Sequence, residues 1–341
     1  MFNVAVIGLG MGQAHLKEYS TLSDVRILAI ADIDETRLKT SADQYRIANT
    51  HTDYKQMLEN PDIHLVSVCL PNFLHAPVTL DALNAGKHVL TEKPMAMAVS
   101  EAQAMIETAK KQGKTLAVSM NYRWGLGPES LYLKQLVSQG KLGDIYHVKT
   151  VSLRRRTFNR GHKTWFSQKA RSGGGGLIDM GPHMIDLAMW LSGNFVPTHV
   201  SGATTTAIMT DTDIDDFSTG LIRMKNGLTI TLESTWATYT RPGASVTLYG
   251  TKGGAILDLS AAKGQRLTLF GENDGTLYEQ TPVTIQLPEP QENSVQEHVV
   301  RSILAGRQPE NAGERGLAVM RVIEGIYTSS ASGGEVAVAE V

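Results

Sequence analysis

The segment Gly8-Leu9-Gly10-Met11-Gly12 constrains this chain more than any other. It follows an apolar run, residues 4–8, that reads as a strand, and it opens an amphipathic stretch, residues 11–22, that reads as a helix. Glycines between a strand and a helix permit a tight turn and let the backbone approach an anion at the positive helix end. Glycines alone often do no more than turn a chain. Here a second strand, residues 25–32, ends on Asp32, whose carboxylate can accept two ribose hydroxyls and repels a 2′-phosphate. Gly8, Gly10, Met11, Gly12 and Asp32 together predict a dinucleotide site, with NAD favoured over NADP. Arg37 is the only nearby cation and lies too far along to be expected as a phosphate clamp. Gln13 stands where the usual spacing puts a third small residue, so the loop-to-helix step is expected to be shortened.

The same alternation continues to about residue 119. Helices are expected at 35–45, 53–59, 75–85 and 100–112, and strands at 65–70, 88–91 and 115–119. That rhythm is one of βαβ units on a parallel sheet. After Asn121 the texture changes. A helix at 130–139 ends at Gly140, and Arg154-Arg155-Arg156 opens an irregular segment. From Val200 onward strands are separated by Gly, Asn and Asp turns, with Asn226-Gly227 a hairpin signal between runs 216–224 and 228–234. Further strands are expected at 245–249, 255–259 and 266–270, and helices at 294–305 and 314–330 close the chain. With 341 residues, more than one compact domain usually holds, the expectation is α/β: a doubly wound N-terminal domain over 1–122, then an α+β domain with an extended, mostly antiparallel sheet over 123–341.

Composition removes several functional classes. A formal net charge of −2 provides no basic field for nucleic acid. No run approaches the roughly 20 apolar residues of a membrane helix. The opening residues lack the basic region of a signal peptide, so a cytoplasmic location is expected. The lone Cys69 leaves no internal disulfide and no clustered-thiolate metal site, and it reads as a buried structural thiol.

Four further motifs stand out: Pro71-Asn72 with His75; the run from Gly86 to Glu92-Lys93-Pro94; Asn121-Tyr122-Arg123; and Gly174-Gly175-Gly176 followed by Asp179, Gly181, His183 and Asp186. With the glycine loop they resemble the Gfo/Idh/MocA family of sugar and cyclitol oxidoreductases, over nearly the whole chain. The resemblance implies a Rossmann domain followed by a domain with a large open sheet. In the family that sheet commonly packs face to face in homodimers and homotetramers, and substrate lies in the cleft between domains against the nicotinamide.

Hydride transfer from an alcohol carbon needs a held cofactor, a proton acceptor and a polar group for the reacting oxygen. Lys93 follows the strand 88–91, at the sheet edge where such folds bind ligands. Taken alone it would be a solvated amine; the resemblance within Glu92-Lys93-Pro94 implies that it hydrogen-bonds the reacting oxygen. Asp179, His183 and Asp186 are spaced i, i+4 and i+7 on a helix expected to begin near Leu177, with apolar residues on its other sides. Titratable groups on a buried helix either pair or serve a function. A self-satisfied His–Asp pair is one reading. The functional reading makes His183 the general acid/base, Asp179 its orienter or a substrate ligand, and Asp186 structural. A divalent ion on these three is the rival, disfavoured because Lys93 already supplies the positive charge, so no metal is expected.

Pro71, Asn72, His75 and Glu92 resemble the family's cofactor-binding positions. Arg123 resembles an arginine near the domain junction, for substrate or for an interdomain salt bridge. Trp165, with the basic run 154–156, is a candidate lining of the substrate cleft or a packed aromatic. The glycines 173–176 are expected to let backbone approach substrate or cofactor. The resulting expectation is an NAD(H)-dependent oxidoreductase acting on a secondary alcohol or ketone of a sugar, sugar derivative or cyclitol. A redox-assisted glycosidase with tightly bound NAD, or an NAD-sensing interaction protein, are the alternatives. A pure sensor has no need of Lys93, Asp179 and His183 together.

Overall fold

Short strands of unbroken Val, Ile, Leu and Ala are satisfied by burial on both faces, and the computed structural model of the chain places them so. It describes residues 1–155, 164–287 and 292–338, and the chain divides into two compact units. The first comprises Met1–Met120 and Glu292–Leu317, the second Asn121–Gln291 and Ala318–Val341.

In the first unit β1 (Phe2–Ile7), α1 (Gly12–Ser20), β2 (Val25–Ala31), α2 (Glu35–Tyr45), β3 (Asn49–His51), α3 (Tyr54–Leu58), β4 (Leu65–Val68), α4 (Asn72–Asn84), β5 (His88–Thr91), α5 (Val99–Gln112) and β6 (Leu116–Val118) follow in order. The strands form one parallel sheet in the order β3-β2-β1-β4-β5-β6. The order reverses between β1 and β4, and in open α/β sheets ligands bind outside the carboxyl ends at such a reversal. Gly8, Asp32, Pro71 and Lys93 all leave the sheet at that edge. The caps are local chemistry: Asp34 accepts the amides of Thr36 and Arg37 to start α2, and Gly113, left-handed at φ 62°, ends α5. The late segment 292–317 is bound to this unit by an Arg301–Asp24 ion pair and by Asn311, whose side chain donates to the Val118 carbonyl at 2.6 Å.

The second unit contains α6 (Tyr122–Gly125), α7 (Pro128–Ser138), β7 (Ile145–Leu153), a 3₁₀ turn (Trp165–Ser167), α8 (Lys169–Ser172) and α9 (Gly176–Ser192). Then come β8 (Pro197–Thr205), β9 (Phe217–Met224), β10 (Thr229–Thr235), β11 (Gly243–Gly250), β12 (Gly254–Asp258), β13 (Leu267–Asn273) and β14 (Thr276–Gln280). After α10 (Val295–Leu304) of the first unit come α11 (Gly313–Ser332) and β15 (Val336–Ala337). Nine strands form one sheet, antiparallel except where β10 runs parallel to β7. The helix α9, apolar almost all round, packs on β7 and β10 and is buried from Gly176 to Leu191 except at Asp179. The hairpin at Asn226-Gly227 is present between β9 and β10, with Gly227 at φ 87°.

Apolar periodicity gives no strand at 145–153, yet β7 is flanked on both sides in this sheet. Its buried positions are Val148, Thr150 and Ser152, so two of its three core-facing groups are hydroxyls and the period-two signal vanishes. Thr150 donates to the Thr231 carbonyl at 3.0 Å, which satisfies the buried hydroxyl. The irregular segment expected after β7 begins at Arg154 and Arg155; Arg156 lies outside the described residues.

Candidate active site

The glycine loop hangs from the carboxyl end of β1. At Gly12 an added Cβ would lie 2.7 Å from Val6 Cγ1, so α1 can pack this closely on β1 only with glycine there. Gly12 thus does the packing job that the usual spacing assigns one position later. Gln13 turns away instead and donates to the Ser41 hydroxyl at 2.6 Å. Gly10 and Met11 are exposed, and no backbone hydrogen bond among the described residues uses their amides. Two open N–H donors at the start of a helix fit a pyrophosphate.

Asp32 is only 8% exposed and accepts the Leu9 amide at 2.6 Å and the Asp34 amide at 2.8 Å. The same carboxylate that suits a ribose therefore also fixes the shape of the glycine loop. Arg37 is not remote, as its place in the sequence suggests. Its guanidinium stands 3.2 Å from Asp32 and 3.2 Å from Asp34, and lies 3.9 Å from where a Cβ on Gly10 would be. One turn of α2 brings it back over the loop. Glycine loop, carboxylate and planar cation together fit the adenosine end of a nicotinamide dinucleotide.

Lys93 follows β5, and its bond to Pro94 is cis. Beneath it, buried Glu92 accepts the Lys93 amide on Oε2 at 3.1 Å and faces His15 Nε2 across 3.0 Å on Oε1. Burial pushes the Glu92 carboxyl up, but the hydrogen bond from His15, the charge of Lys93 and a Ser119 hydrogen bond hold it down at about 2. His75 is buried too, with ring nitrogens 2.7 Å from the Pro94 carbonyl and 2.6 Å from that of Leu70. It ties the loop after β4, where Pro71 caps α4 and Asn72 begins it, to the turn that carries Lys93. Burial holds the His75 imidazole below its ordinary value, against the pull of both carbonyls.

In the second unit the three titratable residues of α9 take three different partners. The His183 ring stacks on Tyr122 of α6, with centroids 4.3 Å apart and planes within 9°. Asp179, one turn earlier, accepts the Trp236 indole N–H at 2.9 Å and has Arg154 at 3.8 Å. Asp186, one turn later, takes the Arg123 guanidinium on both oxygens, with Nε at 2.8 Å from Oδ2. Arg123 is fully buried and also faces the Trp190 and Phe195 rings at 5.9 and 5.5 Å. Among the described residues no group of three or more His, Cys, Asp or Glu side chains could hold a metal. Trp165 is half-buried, stacked on Phe166 at 3.8 Å.

The glycine run before α9 lets the chain pack closely on itself. A Cβ on Gly175 would sit 1.8 Å from the Asp215 carbonyl oxygen. The Asp215 carboxylate accepts the amides of Gly175 at 2.8 Å and Leu177 at 2.7 Å, together with the Tyr327 hydroxyl at 2.7 Å. An acid 40 residues away along the chain thus caps α9 at its positive end. Sequence reasoning missed Asp215, Trp236 and His15, and named Tyr122 within a motif without giving it a role. Only Tyr122 carries a local signal, its place between Asn121 and Arg123.

Residues 2–120 match the family model described as "Oxidoreductase family, NAD-binding Rossmann fold", and residues 130–256 match "GFO/IDH/MocA C-terminal domain". The chain is 34% identical over 273 residues to D-glucoside 3-dehydrogenase of Escherichia coli, covering 74% of this chain and 76% of that protein. It is 28% identical over 288 residues to levoglucosan dehydrogenase of Pseudarthrobacter phenanthrenivorans, covering 75% and 73%. The solved structure of aldose-aldose oxidoreductase from Caulobacter crescentus, complexed with glycerol, is similar with a TM-score of 0.83 at 28% identity, over 98% of this chain and 99% of that one.

Proposed function

The chain belongs to the Gfo/Idh/MocA family of oxidoreductases, and from that membership we propose that it moves a hydride between NAD(H) and a secondary alcohol or ketone of a sugar, sugar derivative or cyclitol. The observation that carries this reading is a single sheet edge. The open amides of Gly10 and Met11, the Asp32 carboxylate and Lys93 stand at the carboxyl ends of β1, β2 and β5. The relatives named above act on glucosides, levoglucosan and aldoses, which supports a carbohydrate substrate.

When bound, NAD supplies the hydride acceptor of the oxidation or, reduced, the donor of the reverse reaction. Gly10 and Met11 hold the pyrophosphate and Asp32 the ribose. The Lys93 ammonium hydrogen-bonds the reacting oxygen and stabilises its developing charge. His183 accepts the hydroxyl proton, with its ring set by Tyr122. Asp179, held by Trp236, orients donors toward the substrate, and Trp165 with Arg154 offers an aromatic face and a cation for a sugar ring. Pro71, Asn72 and His75 support the cofactor side, and Glu92 lies beneath Lys93. Arg123 serves as a positioning residue, because its fork is engaged with Asp186.

Incubating the protein with NAD and a panel of glycosides, anhydrosugars and cyclitols should produce the NADH absorbance band with at least one of them. Binding of NADH without turnover on any member, or aglycone release with no net NADH, would overturn the proposal. Asp32→Ser should raise the KM for NAD about ten- to a hundredfold, the scale of a lost charged hydrogen bond. It should lower the KM for NADP, because Arg37 is then released to meet the 2′-phosphate. An unchanged NAD/NADP preference would remove Asp32 from the ribose site.

Among the described residues no helix is long and apolar enough to cross a membrane. The reaction belongs in the cytoplasm with the NAD pool. Homodimers or homotetramers through the second unit's sheet are supported by its outer face, where β7 and β11 expose Tyr146 and Tyr249. Sedimentation of the purified protein at the monomer mass would refute this assembly.

A further inference from the structure

We propose that His15 is a positioning residue for Lys93, acting through Glu92 to fix the Lys93 backbone. The inference rests on the reading of Lys93 given above. Four buried groups form a chain: Tyr19 hydroxyl to Ser67 Oγ at 2.8 Å, Ser67 Oγ to His15 Nδ1 at 3.0 Å, and His15 Nε2 to Glu92 Oε1 at 3.0 Å. Donor accounting sets its direction. Burial pushes the Tyr19 phenol far up, so it stays a neutral donor, and its only acceptor among the described residues is Ser67. Ser67 then donates to His15 Nδ1, and His15 must carry its hydrogen on Nε2, aimed at Glu92. With the opposite direction the buried Tyr19 hydrogen has no acceptor.

The Glu92 carboxylate is therefore gripped at both oxygens. Oε1 is held by α1 through His15, and Oε2 accepts the amide of Lys93 itself at 3.1 Å. The same helix carries the Gly10 and Met11 amides at its start, so one rigid element references both the cofactor loop and the backbone of residue 93. Without the His15 donor, the buried carboxylate loses one of the hydrogen bonds that fix its orientation. The carboxylate is then expected to turn toward the Lys93 ammonium, whose charge already acts on it, and to draw it from the reacting oxygen. A misplacement of about 1 Å at a reacting group costs on the order of a hundredfold.

The test compares His15→Leu, His15→Gln and Glu92→Gln with Lys93→Ala by steady-state kinetics and NADH fluorescence titration. His15→Leu should lower kcat about ten- to a hundredfold, with the Kd for NADH within about twofold. His15→Gln, whose amide can donate from nearly the Nε2 position, should recover kcat to within about threefold of the wild type. A purely structural role predicts no such split between kcat and Kd, and no such rescue. Glu92→Gln keeps the shape without the charge and should lose kcat in the same way, so the inference stays testable if His15→Leu does not fold. Wild-type kcat in folded His15→Leu or in Glu92→Gln, or no rescue by His15→Gln, overturns it. If Lys93→Ala keeps the wild-type rate, the reading beneath it fails instead; if Lys93→Ala loses turnover while His15→Leu does not, only the positioning role is lost.

Discussion

Lys93→Ala is expected to lower kcat by roughly 10²–10³ while NADH binding stays within about twofold of the wild type. In the proposed mechanism the ammonium acts on the oxygen whose charge changes along the reaction, whereas the cofactor is assigned to the Gly10 and Met11 amides and to Asp32. Its loss is thus a loss at the chemical step. His183→Ala should behave alike, with kcat down by roughly 10²–10⁴, the scale of general acid–base catalysis. Stopped-flow measurement of the first turnover would place both defects in hydride transfer rather than in product release. Either variant turning over within about threefold of the wild type would sink its assignment.

The sheet edge behind these expectations is legible in the sequence because parallel strands buried on both faces write themselves as continuous apolar runs. Each run is followed by the residue it delivers to the edge: Gly8, Asp32, Pro71, Lys93. Distance along the chain misleads at two positions there. Arg37 looks remote as a number, yet one turn of α2 lays it over Asp32, and Gly12 does the packing expected one residue later. The second unit is harder to read. β7 faces its core with Thr150 and Ser152, and β14 is exposed along its whole length, so neither shows an apolar alternation.

Within the candidate site the motif residues Lys93, Asp179 and His183 are visible as letters, but the groups that position them are not. Ser67 stands 52 residues from His15, and Glu92 stands 77 from it. Asp215 and Trp236 reach α9 from 40 and 57 residues away. No periodicity relates such pairs; only the fold brings them together. Chemistry is carried by residue type and local spacing, whereas orientation is carried by tertiary contacts.

The Arg123–Asp186 pair sets the second large effect. Both side chains are almost wholly inaccessible, at 0% and 2%, and the guanidinium engages both carboxylate oxygens. Such a pair adds little over apolar residues of the same volume, because desolvation of two ions offsets most of their attraction. Removing one partner is a different matter. Asp186→Ala leaves a buried guanidinium without its counter-ion and should cost about 3–5 kcal/mol, on the order of 10 °C in the thermal midpoint. Replacing both residues, Arg123→Met with Asp186→Leu, should recover most of that stability. Activity should not return with it. Arg123 follows Tyr122 in α6 and Asp186 lies one turn beyond His183 in α9, so loss of the charged fork is expected to shift the Tyr122 ring against the imidazole. Melting curves and kcat of the single and double variants separate the two roles. A loss below about 1 kcal/mol in Asp186→Ala would show that the pair does not hold α9 in place, and full activity in the double variant would show that the ring stack forms without it.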